Sequence, residues 1–153
     1  MKRVFTVSAF LISNDEAEPR VLLRLHPKLG RWIQPGGHIE PDQDPITALM
    51  AEFMEEVGID LAPFLTRLPE VDRVQVLPCP AYLTSIRMPA GKPNPGDPEH
   101  FMIDMAYVIR APRQAVRQGV SAEWFRRDQL ASYPMPHDVR EFLMKEMFSG
   151  AAA

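Results

Sequence analysis

The chain lacks most of what would place it in a specialised class. Of its 153 residues only Cys79 is a cysteine, so neither an intramolecular disulfide nor a Cys-rich zinc site can form and burial must hold the fold. The reducing cytoplasm is the compartment such a chain suits. There is no basic excess: 17 Lys and Arg face 20 Asp and Glu, a formal charge of −3, which excludes the electrostatic footprint of a dedicated nucleic-acid binder. No stretch approaches the roughly 18 apolar residues of a membrane helix. The opening MKRVFTVSAFLISND places two basic residues before an apolar run, as a secretory leader does. Thr6, Ser8 and Ser13 interrupt that run, and Asp15-Glu16-Ala17-Glu18 follows where a cleavage site belongs, so the segment reads as a strand. Repeats and low-complexity tracts are absent. What remains, 46% hydrophobic and 24% charged, is the composition of an ordinary globular chain, of a length suited to one domain over residues 1–153.

Glycine is sparse and proline is not, 8 against 16. Pro89, Pro93, Pro95 and Pro98 fall in MPAGKPNPGDP with Gly91 and Gly96, an irregular loop because proline removes a ladder donor and restricts the residue before it. Residues 4–12 and 21–25 are apolar runs around the polar turn 13–19 and read as strands buried on both faces. Residues 73–77, 81–88 and 101–110 also read as strands, the last two flanking the proline loop. One helix is marked at both ends, with Asp44 as N-cap, Pro45 at the first position and Gly58 where a left-handed residue would stop it. In DVREFLMKEMF, Val139, Phe142, Leu143 and Met147 recur at helical spacing and predict a terminal helix packed on a sheet. The expected fold is a mixed α/β (α+β) layered domain.

Between residues 32 and 66 there is no Lys or Arg, while Glu40, Asp42, Asp44, Glu52, Glu55, Glu56 and Asp60 give this window a charge of −7. At about 100° per residue, Glu52, Glu55 and Glu56 share one helix face. Ile46, Met50, Phe53, Met54 and Val57 take the opposite side. A solvated face is one reading. Such a face normally carries Lys or Arg three or four residues away, and here the acids oppose one another uncompensated. The other reading is chemical: clustered carboxylates beside Pro35-Gly36-Gly37-His38 form an oxygen-only site suited to Mg²⁺ or Mn²⁺, hard ions that also bind phosphates. The glycine pair is sufficient for a plain turn, and equally lets backbone approach a metal or phosphate closely.

These residues resemble the box of the Nudix (MutT-like) hydrolases, G-x5-E-x7-R-E-U-x-E-E-x-G-U, which aligns without gaps from Gly37 to Ile59 and matches at Gly37, Glu52, Phe53, Glu55, Glu56, Gly58 and Ile59. Residues 30–40, GRWIQPGGHIE, are similar to the family's G-x-W-x-x-P-G-G-H-x-E lead-in. Two positions depart: Gln43 stands for the first Glu and Ala51 for the Arg. An acid and a base are lost together, which leaves no obvious unpaired charge. The resemblance implies an α/β/α sandwich with a mixed β-sheet and hydrolysis of a nucleoside diphosphate linked to another moiety. The cation would neutralise phosphate oxygens and acidify the attacking water. It further implies Glu55, Glu56 and the Gly37 carbonyl as metal ligands, and Glu52 as a further ligand or as the base. A homodimer is common for the fold.

Outside the box, Asp104 sits within the apolar strand FMIDMAYVI, where a buried acid needs a metal, a catalytic role or a partner. Glu99 and His100 border the proline loop, where family members often carry an additional ligand or base. Arg24, Lys28 and Arg31 are the nearest basic residues and could meet a substrate phosphate. Trp32 reads as core and His38 as following the glycines structurally. Cys79, between Pro78 and Pro80, has no charged neighbour to activate it. A catalytically weak or inactive nucleotide sensor of the same fold is the alternative that Gln43 and Ala51 motivate. Removing the −7 window from the total of −3 leaves +4 for the rest, so a cation bound at the acidic centre would let a small phosphorylated molecule in. Long nucleic acid and membranes are not expected partners.

Overall fold

A strand buried on both faces must lie inside a sheet covered on both sides, and the N-terminal segment does. The computed structural model describes residues 1–151, with side chains through residue 146. Strands β1 (Lys2–Ser13), β2 (Arg20–Leu25), β3 (Trp32–Ile33), β4 (Gly36–His38), β5 (Tyr82–Met88), β6 (His100–Ala111) and β7 (Ala122–Arg126) form one sheet. Its spine has the order β3-β2-β1-β6-β5, with β4 paired to β1 and β7 to β2. β1 and β6 run parallel, from Lys2 opposite His100 to Ser13 opposite Ala111, and the remaining pairings are antiparallel. The sheet is therefore mixed, and β1 at its centre carries both cores. Val7, Ala9 and Leu11 pack with Ile46, Leu49, Phe53 and Val57 of helix α1 (Pro45–Val57). Phe10 and Ile12 face the other way, onto Val139 and Leu143 of helix α2 (His137–Ala151). Helix, sheet and helix make the expected three layers.

Helix α1 begins and ends where its sequence says. The Asp44 carboxylate accepts from the Thr47 N–H at 2.7 Å, and Gly58 at φ 73° donates its N–H to Phe53 and Met54. Its apolar face is centred differently from expectation: Leu49 is fully buried while Met54 is 47% exposed. Around the helix Leu49 lies about 60° to one side of Ile46, with Phe53 between them, and Met54 points about 80° to the other side, past the edge of the stripe.

Two strand expectations change. Residues 73–77 form no strand; Val71 and Val74 exchange two 2.9 Å hydrogen bonds around Asp72 and Arg73, both at positive φ. The chain doubles back there, and Pro69, Pro78 and Pro80 deny it a ladder. Conversely, β7 was not anticipated and pairs with β2 along its full length. Two short 3₁₀ helices, Ala62–Phe64 and Arg127–Ser132, complete the elements. In α2, Val139 and Leu143 are buried and Phe142 packs against the same core; the Met147 side chain lies outside the described residues. No helix among the described residues is long and apolar enough to cross a membrane.

Candidate functional site

The glycine pair is held rigidly against β1. Gly36, Gly37 and His38 lie opposite Ser8, Val7 and Thr6, and the ladder continues through Ala9 N–H to Pro35 and Ile39 N–H to Phe5. A Cβ on Gly36 would fall 2.2 Å from the Val7 carbonyl oxygen, and one on Gly37 would fall 2.4 Å from the Glu52 carboxyl carbon. The close approach expected of a metal or phosphate is thus made by the protein itself, since the Glu52 carboxylate rests on Gly37.

This contact fastens α1 to β4, and Glu56 adds a second. The Gly36 N–H donates to Glu56 Oε1 at 2.8 Å, and Arg24 Nη1 of β2 donates to Glu56 Oε2. The acids of the window are therefore not all uncompensated, as the sequence alone implied. Arg24 answers Glu56, and Arg67 answers Asp44 at 3.3 Å. Arg117 donates to the Met54 and Glu55 carbonyls, supplying the helix C-terminus with the positive charge that its own last turn lacks. Glu52 stays under strain: burial first, then the Glu55 charge, with Glu40 adding, push its carboxyl above the ordinary range against the pull of Arg24. Burial lowers Arg24 in turn, opposed by Glu52. Gln43 closes the approach to the helix, accepting from the Glu40 N–H at 3.1 Å.

The donor chemistry fits a hard divalent cation, because Glu52, Glu55, Glu56 and the Gly37 carbonyl offer only oxygen. Among the described residues, no three His, Cys, Asp or Glu side chains converge closely enough to hold an ion as they stand. Both oxygens of Glu56 are engaged, one by backbone and one by Arg24.

Asp104 is not brought to these glutamates. It projects from β6 on the face of Ala106, Phe10 and α2, with the sheet between it and α1. It is only 8% exposed and is held by hydroxyls: Thr6 donates to Oδ1 at 2.7 Å and Ser8 to Oδ2 at 2.8 Å. Burial nevertheless raises its carboxyl, and the charge of Asp138 adds to this. Gln34 Nε2 donates to Ser8 Oγ at 3.1 Å while its Oε1 is buried without a partner. Thr6, Ser8 and Gln34 were not singled out by sequence, although two hydroxyls at alternate positions opposite a strand acid are a readable signal. Glu99 does not join the box acids either. It pairs with exposed Arg87 at 2.5 Å where β5 meets β6. Arg31 is exposed in the β2–β3 turn. Lys28 in that turn donates to Asn94 of the proline loop. Lys2, His38, His100 and the loop residues Pro93 and Asn94 line a cavity of about 190 Å³ on the Asp104 side of the sheet. His100 is buried, with Nδ1 at 2.7 Å from the Pro98 carbonyl. Trp32 packs edge-on against Phe125 and Tyr133, as a core residue does.

Residues 2–145 match the family model of the NUDIX domain. Solved structures share the fold. A hydrolase of the NUDIX family from Clostridium perfringens superposes with a TM-score of 0.70 at 23% identity, covering 96% of this chain and 97% of that one. The dihydroneopterin triphosphate pyrophosphohydrolase of E. coli gives 0.67 at 15% identity, with 95% of each chain covered. The NUDIX domain of Shewanella oneidensis NrtR, in complex with ADP ribose, gives 0.59 at 18% identity, covering 100% of this chain and 90% of that one.

Proposed function

The chain belongs to the NUDIX domain family, and from that premise we propose that it is a divalent-metal-dependent pyrophosphohydrolase acting on a nucleoside diphosphate linked to a further group. The observation that carries this reading is the meeting of Glu52 and Glu56 at one end of α1 with the rigid Gly36–Gly37 segment, with the charge of Glu55 felt at Glu52. Glu55, Glu56 and the Gly37 carbonyl would hold Mg²⁺ or Mn²⁺. When bound, the ion would supply positive charge against the pyrophosphate oxygens and a more acidic water. Glu52, whose burial and acidic neighbours raise its affinity for a proton, serves as a further ligand or receives the proton of the attacking water. Arg24 on β2 and the exposed Arg31 of the β2–β3 turn bind phosphate oxygens. Asp104, on the other side of the sheet, holds Thr6 and Ser8 in place rather than entering the chemistry. The lone exposed cysteine suits a cytoplasmic enzyme.

The test is release of phosphate or a nucleoside monophosphate from NTPs, oxidised dGTP, ADP-ribose, dinucleoside polyphosphates and nucleotide sugars, each with Mg²⁺ or Mn²⁺. Turnover of at least one class is expected, and no release from the whole panel sinks the proposal. Glu56→Gln is expected to lower kcat by at least a hundredfold with the far-UV spectrum unchanged; an active variant would remove the box from the mechanism. The second reading, a nucleotide sensor, draws on the ADP ribose complex of the NrtR domain and on Gln43 and Ala51. Tight binding of a panel member without turnover would select it.

A further inference from the structure

Arg24 stands in a place that does not favour a cation by solvation. Its side chain is largely shielded, it lies against the better shielded Glu56, and its charge is also felt by Glu52. The position within α1 that could have supplied a positive charge next to these acids is Ala51. Arg24 reaches them instead from β2, opposite Ile33 of β3. Glu56 is fixed from two sides, by the Gly36 N–H on Oε1 and by the guanidinium on Oε2. A divalent ion drawn to the same carboxylate would compete for Oε2 and would meet a like charge within a few ångströms.

We infer that Arg24 is a resident counter-cation of Glu56, which the incoming divalent ion displaces, so that metal affinity is held down by an ion pair within the protein. This rests on the metal reading of the same glutamates. It accounts for two observations together. The acids of α1 stand side by side with Arg24 against Glu56, and yet among the described residues no three of them converge as an ion site. An arginine that merely oriented Glu56 for the metal has the opposite sign, since removing it would weaken binding.

The test is Mn²⁺ affinity measured by electron paramagnetic resonance on the full-length protein at constant ionic strength, for wild type and Arg24→Gln. The variant is expected to bind Mn²⁺ about three- to tenfold more tightly. Equal or weaker binding by a folded variant overturns the inference while leaving the metal reading intact. Absence of Mn²⁺ binding in both proteins overturns the metal reading and this inference with it. A second measurement needs no variant: in ¹⁵N-arginine-labelled wild type, the side-chain Nε–H resonance of Arg24 is expected to shift on titration with Mg²⁺ as the guanidinium leaves its carboxylate. A resonance that stays in place through saturation also overturns the inference, whatever the fate of the variant.

Discussion

Glu52 and Asp104 are carboxylates displaced in the same direction by burial, on opposite faces of the sheet. For each, the folded protein holds the proton more firmly than the unfolded chain does, starting from ordinary values of 4.5 and 3.8. The sign follows from linkage: their contribution to stability is full below those ordinary values and is lost as pH rises through the raised, folded ones. The share of stability that these two groups supply is therefore expected to fall as pH climbs out of the ordinary carboxylate range, against the opposite contribution of Asp44, whose carboxyl, despite partial burial, is held below its ordinary value by the Thr47 N–H and Arg67. Glu52→Gln removes the repulsion with Glu55 and is expected to stabilise by roughly 0.2 to 0.5 kcal/mol near pH 7 and not near pH 4, where the wild-type group is already neutral. Thermal melts of the two proteins across pH check this. A constant difference at all pH values would mean that the carboxyl is not displaced. The same substitution deletes an oxygen donor of the proposed metal site, so stability and metal binding are expected to move in opposite directions, as they do where function demands a local conflict.

At the scale of elements, the glycines separate what the backbone needs from what it only permits. A methyl on Gly96 meets nothing within 4 Å and its φ is ordinary, Gly119 has open space but φ 89°, and Gly36 would strike the Val7 carbonyl. Alanine at these positions is expected to cost about zero, about 1 to 2 kcal/mol and at least about 3 kcal/mol. In the last case the β4–β1 ladder opens and Glu56 loses the Gly36 N–H. Urea unfolding of the three variants gives the order, and an unaffected Gly36→Ala would mean that the ladder does not set the site. The same local logic explains what could be read in advance. Helix α1 carries its own start and stop in Asp44, Pro45 and Gly58, so both ends were legible. β7 is five residues, AEWFR, whose partner β2 lies about a hundred positions earlier, and nothing local marks it. Residues 73–77 alternate like a strand, but the turn at Asp72 and Arg73 and the flanking prolines leave them no edge to join. In the site, the glutamates were visible through their spacing on one helix and Arg24 through its charge. The pairing of Arg24 with Glu56, and of Arg117 with the end of α1, joins residues 32 and about 60 positions apart. Only the folded sheet brings them together.

Across the whole molecule, the net charge of −3 divides into −7 over residues 32–66 and +4 elsewhere, and the fold brings the two parts into contact at chosen points. Arg24, Arg67 and Arg117 come from the basic remainder to Glu56, Asp44 and the C-terminal carbonyls of α1. This leaves Glu52 and Glu55 as a mutually repelling pair on the half-open face. An ion binding there acts only on the folded chain, because unfolding scatters its donors over β4 and α1. By mass action a ligand at a hundred times its dissociation constant stabilises by about 2.7 kcal/mol. For a domain of this length that corresponds to a melting temperature raised by roughly 5 to 10 °C. Magnesium chloride is expected to give a rise of this kind, and sodium chloride at matched ionic strength is not, since screening would weaken the surface pairs rather than replace the missing charge. The double variant Glu52→Gln, Glu55→Gln is expected to abolish the response to magnesium while starting from a melting temperature no lower than that of wild type. Equal responses to the two salts, or a magnesium response that survives in the double variant, would place the stabilising ion elsewhere and detach the acidic end of α1 from metal binding.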